Sequence, residues 1–298
     1  MTSPRGQHRA IAGSRPVSTS HTATLIDRLR ELFPEASHTS LKRWLAARRV
    51  RVDGQVARDG RVAVAPRSRV TLGAPPNLPP PGLPILYEDG DLLVVDKPVG
   101  LLTIATERER DRTAYRLVWT YLAGASPPRR PFAVHRLDRE TSGLLVIAKS
   151  VAVKRRLQAQ FEARSVERGY VALVEGLVRA DAGTLTMPVI TDRGVRVRAA
   201  RPREKGAREA ITRYRVLERR AERTLLALDL GTGRRRQIRV QLAALGHPIA
   251  GDLEHGGRRE RRLWLHATRL GFVHPTTGRP ARFESPPPPG LTPRTRGV

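Results

Sequence analysis

The sequence predicts an α+β protein whose main domain contains a mostly antiparallel mixed sheet, preceded by a small αα-β unit. Three observations support this prediction. Short apolar segments typical of strands dominate residues 85–284, and few of them are joined by helical segments. A Pro-rich stretch, residues 74–84, interrupts the chain after its first quarter. The length of 298 residues corresponds to about two domains at roughly 150 residues each.

The unit before this stretch, residues 23–73, contains two predicted helices and a hairpin. Thr39 or Ser40 is a suitable N-cap for the second helix. Alternating apolar residues around Asp53-Gly54 predict the hairpin, and a short strand follows at residues 69–72. Apolar residues at helical spacing predict the two helices: Leu25, Leu29 and Leu32, and then Leu41, Trp44 and Leu45.

The region after the Pro-rich stretch, residues 85–284, is predicted to be one domain with many strands and two helices. Ser150 can cap a helix that continues to Phe161. The second helix is expected from about Arg235 to Leu245, and Gly246 ends it. Its inner face is expected to carry Ile238, Leu242 and Leu245. The predicted strands are 85–87, 92–95, 144–148, 170–174, 184–189, 211–217 and 224–230.

The remaining segments are expected to lie outside the folded domains. Residues 1–22 lack hydrophobic periodicity and are rich in Ser, Thr, Arg and Gly, which is typical of a disordered basic leader. Residues 74–84 contain six prolines and predict a stiff, extended linker. Residues 285–298 are again Pro-rich and are expected to form a tail.

The charge of the chain points to a polyanionic partner. Lys and Arg number 55 against 28 Asp and Glu, which gives a formal net charge of +27. Such an excess favours nucleic acid as the partner. No apolar run approaches the 18 or so residues of a membrane span, and no secretory signal precedes the first unit. We therefore expect a cytoplasmic protein that binds nucleic acid and does not bind a membrane.

The sequence offers no motif for a cofactor or a metal. The chain has no cysteine, which excludes disulfides and Cys-based metal sites. It also lacks a P-loop, a complete dinucleotide-binding glycine motif, a clustered set of histidines and the GxSxG elbow. An enzyme of this sequence is therefore expected to work without a cofactor.

The most informative segment is residues 132–149, in which a charged loop containing Asp138 runs directly into the apolar strand 144–148. A loop beside a core strand holds its side chains accurately and leaves them accessible. Its sequence HRLDRETSGLLVIAK resembles the catalytic motif of the RluA-type pseudouridine synthases, which isomerise uridine in ribosomal and transfer RNA. Four further segments resemble this family's other motifs, in the family's order: residues 94–103, 167–176, 232–252 and 262–275.

The resemblance covers about residues 85–284 and implies a twisted, mostly antiparallel sheet with a central cleft. It also implies a cofactor-free isomerisation of uridine. Asp138 matches the family's essential aspartate, and Arg239 matches the arginine that pairs with it. Tyr170 matches the tyrosine that stacks on the target base and that can remove the proton from carbon five. Asp138 either bonds to the ribose or takes a ribose proton, and both routes are open at this stage.

Several basic residues are expected to contact RNA. Residues 23–73 resemble the RNA-binding module named after a small-subunit ribosomal protein (S-four-like), a module often found in front of this domain. Arg236 and Gln241 stand where family members often carry histidine, and are expected to face RNA or to support residues that do. Beside the cleft we expect RNA contacts from Arg136, Arg234, Arg235 and Arg236, with Ile238 as a residue that can line the uracil pocket. On the front unit we expect them from Lys42, Arg43 and Arg48.

Two other functions compete with this interpretation. A non-catalytic RNA-binding or ribosome-assembly factor could have the same fold, although the retained Asp138, Tyr170 and Arg239 argue against it. A glycosidase requires two carboxylates about 5–10 Å apart, and the matched motifs offer only Asp138. We expect ribosomal RNA of the large subunit as the first target and transfer RNA as the second, acted on by a monomer.

Overall fold

A computed structural model of the chain describes residues 23–46, 49–72, Pro80, 82–123, 129–192 and 196–293. The chain divides into two compact units, Met1–Pro76 and Asn77–Val298. The predicted leader 1–22 lies outside the described residues, as do most of the predicted linker and the last five residues of the predicted tail. In the described part of the chain, no helix has the length and apolar character that crossing a bilayer requires.

The first unit packs two helices against a small antiparallel sheet with strand order β2-β1-β3. Its core contains Leu25, Leu29, Leu41 and Leu45 at the predicted spacing, whereas Leu32 is exposed. The second helix begins before the predicted caps, because the hydroxyl of Ser37 accepts the backbone N–H of Ser40. The elements are α1 (Leu25–Leu32), α2 (His38–Ala46), β1 (Val50–Val52), β2 (Gln55–Val56) and β3 (Val70–Leu72).

The second unit is organised around one large sheet, as the sequence predicts. Its first elements are β4 (Ile85–Glu88), β5 (Leu92–Lys97), α3 (Ala114–Ala123), β6 (Phe132–Ala133), β7 (Ser142–Ala148), α4 (Val151–Glu162), β8 (Glu167–Glu175), β9 (Ala182–Leu185), β10 (Val189–Asp192) and β11 (Arg196–Ala199). They are followed by β12 (Thr212–Arg220), β13 (Arg223–Leu230), α5 (Gln237–Ala244), a 3-10 helix (Leu253–His255), β14 (Leu265–Val273) and β15 (Pro280–Glu284).

The predicted mostly antiparallel α+β architecture is confirmed. Ten strands of the described residues form one sheet, with the order β4-β5-β7-β14-β8-β13-β12-β9 and with β6 and β15 paired to β7 and β14. The pairing of β7 with β14 is parallel, and the other pairings in this sheet are antiparallel. Strands β7, β14 and β8 are therefore neighbours, which brings the loop before β7 close to the middle of β8.

Four apolar clusters stabilise the described part of this unit, and the smallest packs β10 and β11 against Val240 of α5. The strand β7 is buried along its whole length, and its two faces contribute to different clusters. Helix α3, which the sequence analysis does not predict, covers one face through Ala114, Val118 and Leu122. Helix α4 covers the other face and is capped by Ser150 as predicted. The third cluster lies around β8, β13 and α5.

Some predicted boundaries are wrong. Helix α5 ends at Ala244, and Leu245, which the sequence predicts on its inner face, is exposed. Residues expected in the linker and the tail pack on the domain, because Leu83 and Leu291 are both fully buried. Arg220 also donates hydrogen bonds to the carbonyls of Gly290 and Thr292. The folded domain is therefore longer at both ends than the sequence predicts.

Gly143, at the parallel junction of β7 and β14, is a position that requires glycine. Its φ of +112° is unfavourable for residues with a side chain, and a Cβ there would collide with the backbone oxygen of Ala267 and lie 2.6 Å from its nitrogen. We expect Gly143→Ala to lower the free energy of unfolding by roughly 2–6 kcal/mol, from backbone strain and overpacking together. Urea unfolding measures this change.

The matched control is Gly246→Ala. Gly246 also has a positive φ, +89°, but a Cβ there meets no atom within 4 Å. Only the backbone term applies, so we expect a loss of roughly 1–2 kcal/mol. Equal losses for the two variants would contradict the proposed collision with Ala267.

Candidate active site

A cavity of about 530 Å³ opens between the loop before β7, the strand β8 and the start of α5. This volume lies within the usual range for small-ligand sites. Asp138, Tyr170 and Arg239 all line it, although they come from distant parts of the sequence. The structure thus brings together the three residues that the sequence analysis selects for the reaction.

Asp138 lies in the loop between β6 and β7, and hydrogen bonds fix the backbone around it. The hydroxyl of Thr103 donates to the carbonyl of Leu137 (2.7 Å) and accepts the N–H of the same residue (3.1 Å). The N–H of Thr141 donates to the carbonyl of Asp138 (3.2 Å). The Asp138 side chain is only 18% exposed. The loop therefore holds this carboxylate in a defined, mostly desolvated position.

The electrostatic surroundings of Asp138 act in opposite directions. Burial raises the pKa of its carboxyl above the usual value, while the positive charges of Arg239 and Arg236 oppose the increase. The nearest ion-pair distance joins Nη1 of Arg239 to Oδ2 of Asp138 and is 3.8 Å. A carboxylate in this environment is a stronger base than an ordinary aspartate when it is ionised.

The principal partner of Arg239 is a residue that the sequence does not predict. Nε and Nη2 of Arg239 donate to the two carboxylate oxygens of Asp252, both at 2.7 Å. This bidentate contact leaves Nη1 directed to Asp138 and, at 3.5 Å, to Glu140. The predicted pairing of Arg239 with Asp138 is therefore the longer of its two aspartate contacts.

Asp252 and His255 complete the anchor of Arg239. The side chain of Asp252 is fully buried, and Nδ1 of His255 lies 3.0 Å from its Oδ2. Burial alone would raise the pKa of Asp252, but the hydrogen bonds with Arg239 and His255 hold it well below its usual range. Asp252 is therefore ionised at neutral pH and fixes the orientation of the guanidinium.

Tyr170 lies on β8 and is 9% exposed. Burial raises the pKa of its phenol to about 12, so the ring is neutral at physiological pH. A neutral phenol is a poor base for removing a proton and a good surface for stacking on a base. The burial of the phenol therefore favours the stacking role over proton removal.

The arginines predicted beside the cavity occupy different positions. Arg136 and Arg235 are exposed on its lining. Arg234 is half-buried, and its Nε donates to the carbonyl of Glu209 (3.0 Å). Arg236, whose backbone is in the left-handed conformation just before α5, forms an ion pair with Glu254. Ile238 is buried and lines the cavity.

The candidates on the first unit are described only in part. Lys42 is exposed on α2. The backbone of Arg43 belongs to the same helix, while its side chain lies outside the described structure. Arg48 lies outside the described residues.

Two further buried residues hold the loops of the site. Nζ of Lys97 donates to the carbonyls of Leu101 (2.8 Å), Pro98 (3.0 Å) and Arg139 (3.4 Å), which ties two loops together. Burial lowers the pKa of Lys97 to about 8. Gln237 accepts the N–H of Arg234 (3.0 Å) and holds the arginine loop. Both residues lie within the motif segments and could be recognised there as candidates.

The position of Gln241 contradicts one of the two alternatives expected for it, direct contact with RNA. It is fully buried, accepts a hydrogen bond from Thr212 (2.7 Å) and donates to the carbonyls of Met187 (2.9 Å) and Ala210 (2.8 Å). It faces the protein interior rather than RNA. The helix α5 is buried on this side because it packs against the end of the sheet.

One group of side chains in the described residues has the composition of a metal site. Ligand atoms of Asp89, Asp91 and His274 lie within 4.8 Å of one another. The carboxylate of Asp89, however, accepts hydrogen bonds from Tyr87 and from the backbone of Asp91 (both 2.8 Å), and lies 2.8 Å from Nε2 of His274. These contacts stabilise the turn between β4 and β5, outside the cavity lining.

Known proteins with similar sequences identify the family. The RNA pseudouridylate synthase family matches residues 91–244. The chain is 35% identical to ribosomal large subunit pseudouridine synthase D of Xanthomonas campestris pv. campestris, over 88% of this chain and 85% of that protein. It is 36% identical to the protein of the same name from Pseudomonas aeruginosa, over 87% and 86%.

Solved structures agree with the fold. The human RNA pseudouridylate synthase domain containing 1 superposes with a TM-score of 0.57 at 28% identity, over 70% of this chain and 86% of that one. The human RNA pseudouridylate synthase domain containing 4 has a TM-score of 0.59 at 24% identity, over 70% and 90%. Together with the sequence matches, the shared fold leads to one conclusion: the chain belongs to the RNA pseudouridylate synthase family and is an RNA pseudouridine synthase of the RluA type.

Proposed function

We propose that this enzyme converts specific uridines of large-subunit ribosomal RNA to pseudouridine, with Asp138 as the catalytic carboxylate. The observation that carries the proposal is the cavity in which Asp138 faces Arg239 at 3.8 Å beside the ring of Tyr170. The choice of RNA rests on the relatives, which are named for the large ribosomal subunit.

The reaction breaks the bond between the ribose C1′ and N1 of uracil and forms a bond between C1′ and C5. Asp138 begins it by one of two routes: its carboxylate bonds to C1′, or it takes a ribose proton and drives elimination. In both routes the electron pair of the broken bond leaves with the uracil. The base then turns and C5 bonds to C1′, which breaks the bond from Asp138 to C1′ in the first route and returns the ribose proton in the second. C5 then loses its proton and N1 gains one, which leaves Asp138 free.

The neighbouring residues orient the carboxylate of Asp138 and favour its ionised form. Arg239 keeps Asp138 oriented and favours its ionised form, and Asp252 holds Arg239 in place. Tyr170 stacks on the uracil, and Ile238 lines the pocket with an aliphatic side chain. One chain supplies all of these groups, which supports an enzyme that acts as a monomer. The proposal places it in the cytoplasm.

The RNA is held on two surfaces. Arg136, Arg234 and Arg235 lie along the cavity and contact phosphates beside the extruded uridine. Flipping that nucleotide out of its stack requires a few kcal/mol, which these contacts offset. The first unit, with Lys42, Arg43 and Arg48, acts as an S-four-like module that binds another part of the same RNA.

The experiment that tests this function uses RNA labelled with tritium at carbon five of uracil. Because C5 loses its hydrogen when it bonds to the ribose, tritium release reports turnover. We expect the full chain to release tritium from a large-subunit rRNA transcript and to leave a tRNA transcript unchanged. No release from either RNA would contradict the enzymatic function. Release from tRNA alone would contradict the proposed target.

The role of the first unit is tested by deleting residues 1–76, the boundary at which the two units divide. We expect weaker RNA binding, with turnover retained at saturating RNA, because Asp138, Tyr170 and Arg239 all belong to the second unit. Each phosphate that the protein no longer neutralises should reduce the salt dependence of binding by about 0.7 log units per log unit of salt. Filter binding at several salt concentrations measures both effects. Unchanged affinity and salt dependence would show that this unit does not bind the RNA.

A further inference from the structure

Arg168 is a buried arginine beside the catalytic residues that the proposed mechanism does not use. It lies two residues before Tyr170 on β8, so both side chains point to the same face of the strand and line the cavity. Arg168 is 9% exposed. Its Nη2 donates to the carbonyl of Leu230 (3.3 Å), while its Nε has no hydrogen-bond partner.

The charge of Arg168 lacks a counter-charge in the described part of the chain. None of the ion pairs found there includes Arg168, and Tyr170, which lies beside it, is neutral. Burial accordingly lowers the pKa of its guanidinium. A buried charge without a partner is unfavourable, and a negatively charged ligand in the cavity supplies the missing partner.

The neighbouring residues contact this guanidinium on one side and leave space for it on the other. It lies over the ring of Phe161, 5.6 Å from its centroid, and Phe161 stacks in turn on His135 at 4.8 Å. Burial and the charge of Arg168 lower the pKa of His135 to about 3, so this histidine adds no second positive charge. A Cβ at Gly233 would collide with Nη1 of Arg168. The guanidinium therefore reaches the cavity wall where the chain has no side chain.

The reaction proposed above creates the missing negative charge. When the bond from C1′ to N1 breaks, its electron pair stays on the uracil and is delocalised over N1, O2 and O4. The charge disappears again when C5 bonds to C1′ and loses its proton. A fixed cation in a desolvated cavity stabilises an anion that exists only during the reaction far more than it stabilises the neutral base.

We propose that Arg168 contacts the detached uracil and stabilises its negative charge, which makes it a further catalytic residue of this enzyme. The inference rests on the proposed function, because only glycosidic cleavage produces this anion. Arg168 neither gains nor loses a proton in the cycle.

The test compares Arg168→Met and the wild type in single turnovers at saturating RNA. Loss of one such stabilising group lowers the rate about 100-fold or more. We expect this loss with RNA affinity that changes by no more than about threefold, which is below about 0.7 kcal/mol. Arg282→Gln is the matched control. It removes an exposed charge that pairs with Glu167 at the outer end of β8, and should leave the rate unchanged.

A second substrate separates charge stabilisation from a structural role. Fluorine at carbon five of the target uridine withdraws electrons and stabilises the uracil anion without help from the protein. We therefore expect the deficit of Arg168→Met to shrink at least about fivefold on 5-fluorouridine RNA, equivalent to about 1 kcal/mol. Because this base has no hydrogen on C5 to lose, its product keeps a double bond between N1 and C6, which adds water from the solvent. The readout is therefore the loss of 5-fluorouridine after digestion of the RNA. Equal deficits on both substrates would overturn the proposal.

The remaining outcomes are also decisive. A variant with a normal saturating rate, weaker binding and a smaller salt dependence would assign Arg168 to an RNA phosphate and overturn the proposal. If thermal unfolding shows that Arg168→Met does not fold, Arg168→Lys replaces it in the test. Arg168→Lys must then turn over more slowly than the wild type, and its rate deficit must shrink on 5-fluorouridine RNA. An inactive wild type contradicts the proposed function itself, whereas an active wild type with an unaffected Arg168→Met contradicts this inference alone.

Discussion

Replacing Asp138 by asparagine is expected to abolish pseudouridine formation while leaving RNA binding almost unchanged. Asparagine has the same size, so the loop fixed by Thr103 and Thr141 should persist. It lacks the negative charge that both routes require, and loss of a nucleophile or general base lowers rates by at least about 1,000-fold. Tritium release and filter binding on the same rRNA transcript measure the two properties separately.

The matched control is Glu140→Gln in the same loop. Glu140 also approaches Nη1 of Arg239, at 3.5 Å, but its side chain is 47% exposed. We expect turnover within about threefold of the wild type, since a solvated carboxylate contributes little to such a contact. A large loss in Glu140→Gln with normal turnover in Asp138→Asn would reverse the assignment of the carboxylate. Losses in both would indicate a two-carboxylate mechanism of the glycosidase kind.

The sequence was sufficient to predict the strand-rich fold but not all of its elements. Strands such as β7 are continuous apolar runs, which predict burial wherever they lie. Helix α3 contains aromatic and β-branched residues that favour strands, so local propensity does not predict a helix there. Packing of Ala114, Val118 and Leu122 on the sheet stabilises it as a helix. The strand β14, a neighbour of both β7 and β8, was not predicted as a strand, because its segment was only matched to a family motif.

The candidate site was predictable to the extent that its residues lie in local motifs. The segments matched to the family contain Asp138, Tyr170 and Arg239, and the cavity unites them. The anchor of Arg239 was not predictable, because an ion pair between a helix residue and the later Asp252 depends on the fold. Arg168 had a visible signal: residues two apart on a strand share a face, so Arg168 must face the same side as Tyr170.

Asp252→Asn is expected to have the second largest effect, because it removes the anchor of Arg239. An amide offers one acceptor where the carboxylate offers two, and its NH₂ group repels the donors of the guanidinium. Removing one partner of a buried ion pair destabilises a protein by about 3–5 kcal/mol. We also expect the rate at saturating RNA to fall about 10- to 100-fold, since small displacements of a positioning group cost that much. Urea unfolding and single-turnover kinetics measure the two effects.

The pH dependence of the rate distinguishes positioning from mere stability. Asp138 must be ionised, so activity falls as the pH decreases through its pKa. Arg239 lowers that pKa, and a guanidinium displaced toward Glu140 and Glu254 lowers it less. The rate of Asp252→Asn should therefore begin to fall at a higher pH than the rate of the wild type. The control is Asp229→Asn, which removes the exposed partner of Arg269. It should change neither the free energy of unfolding nor the pH at which the rate falls. A fall at the wild-type pH in a folded Asp252→Asn would mean that Asp252 stabilises the fold without orienting Arg239 toward the catalytic carboxylate.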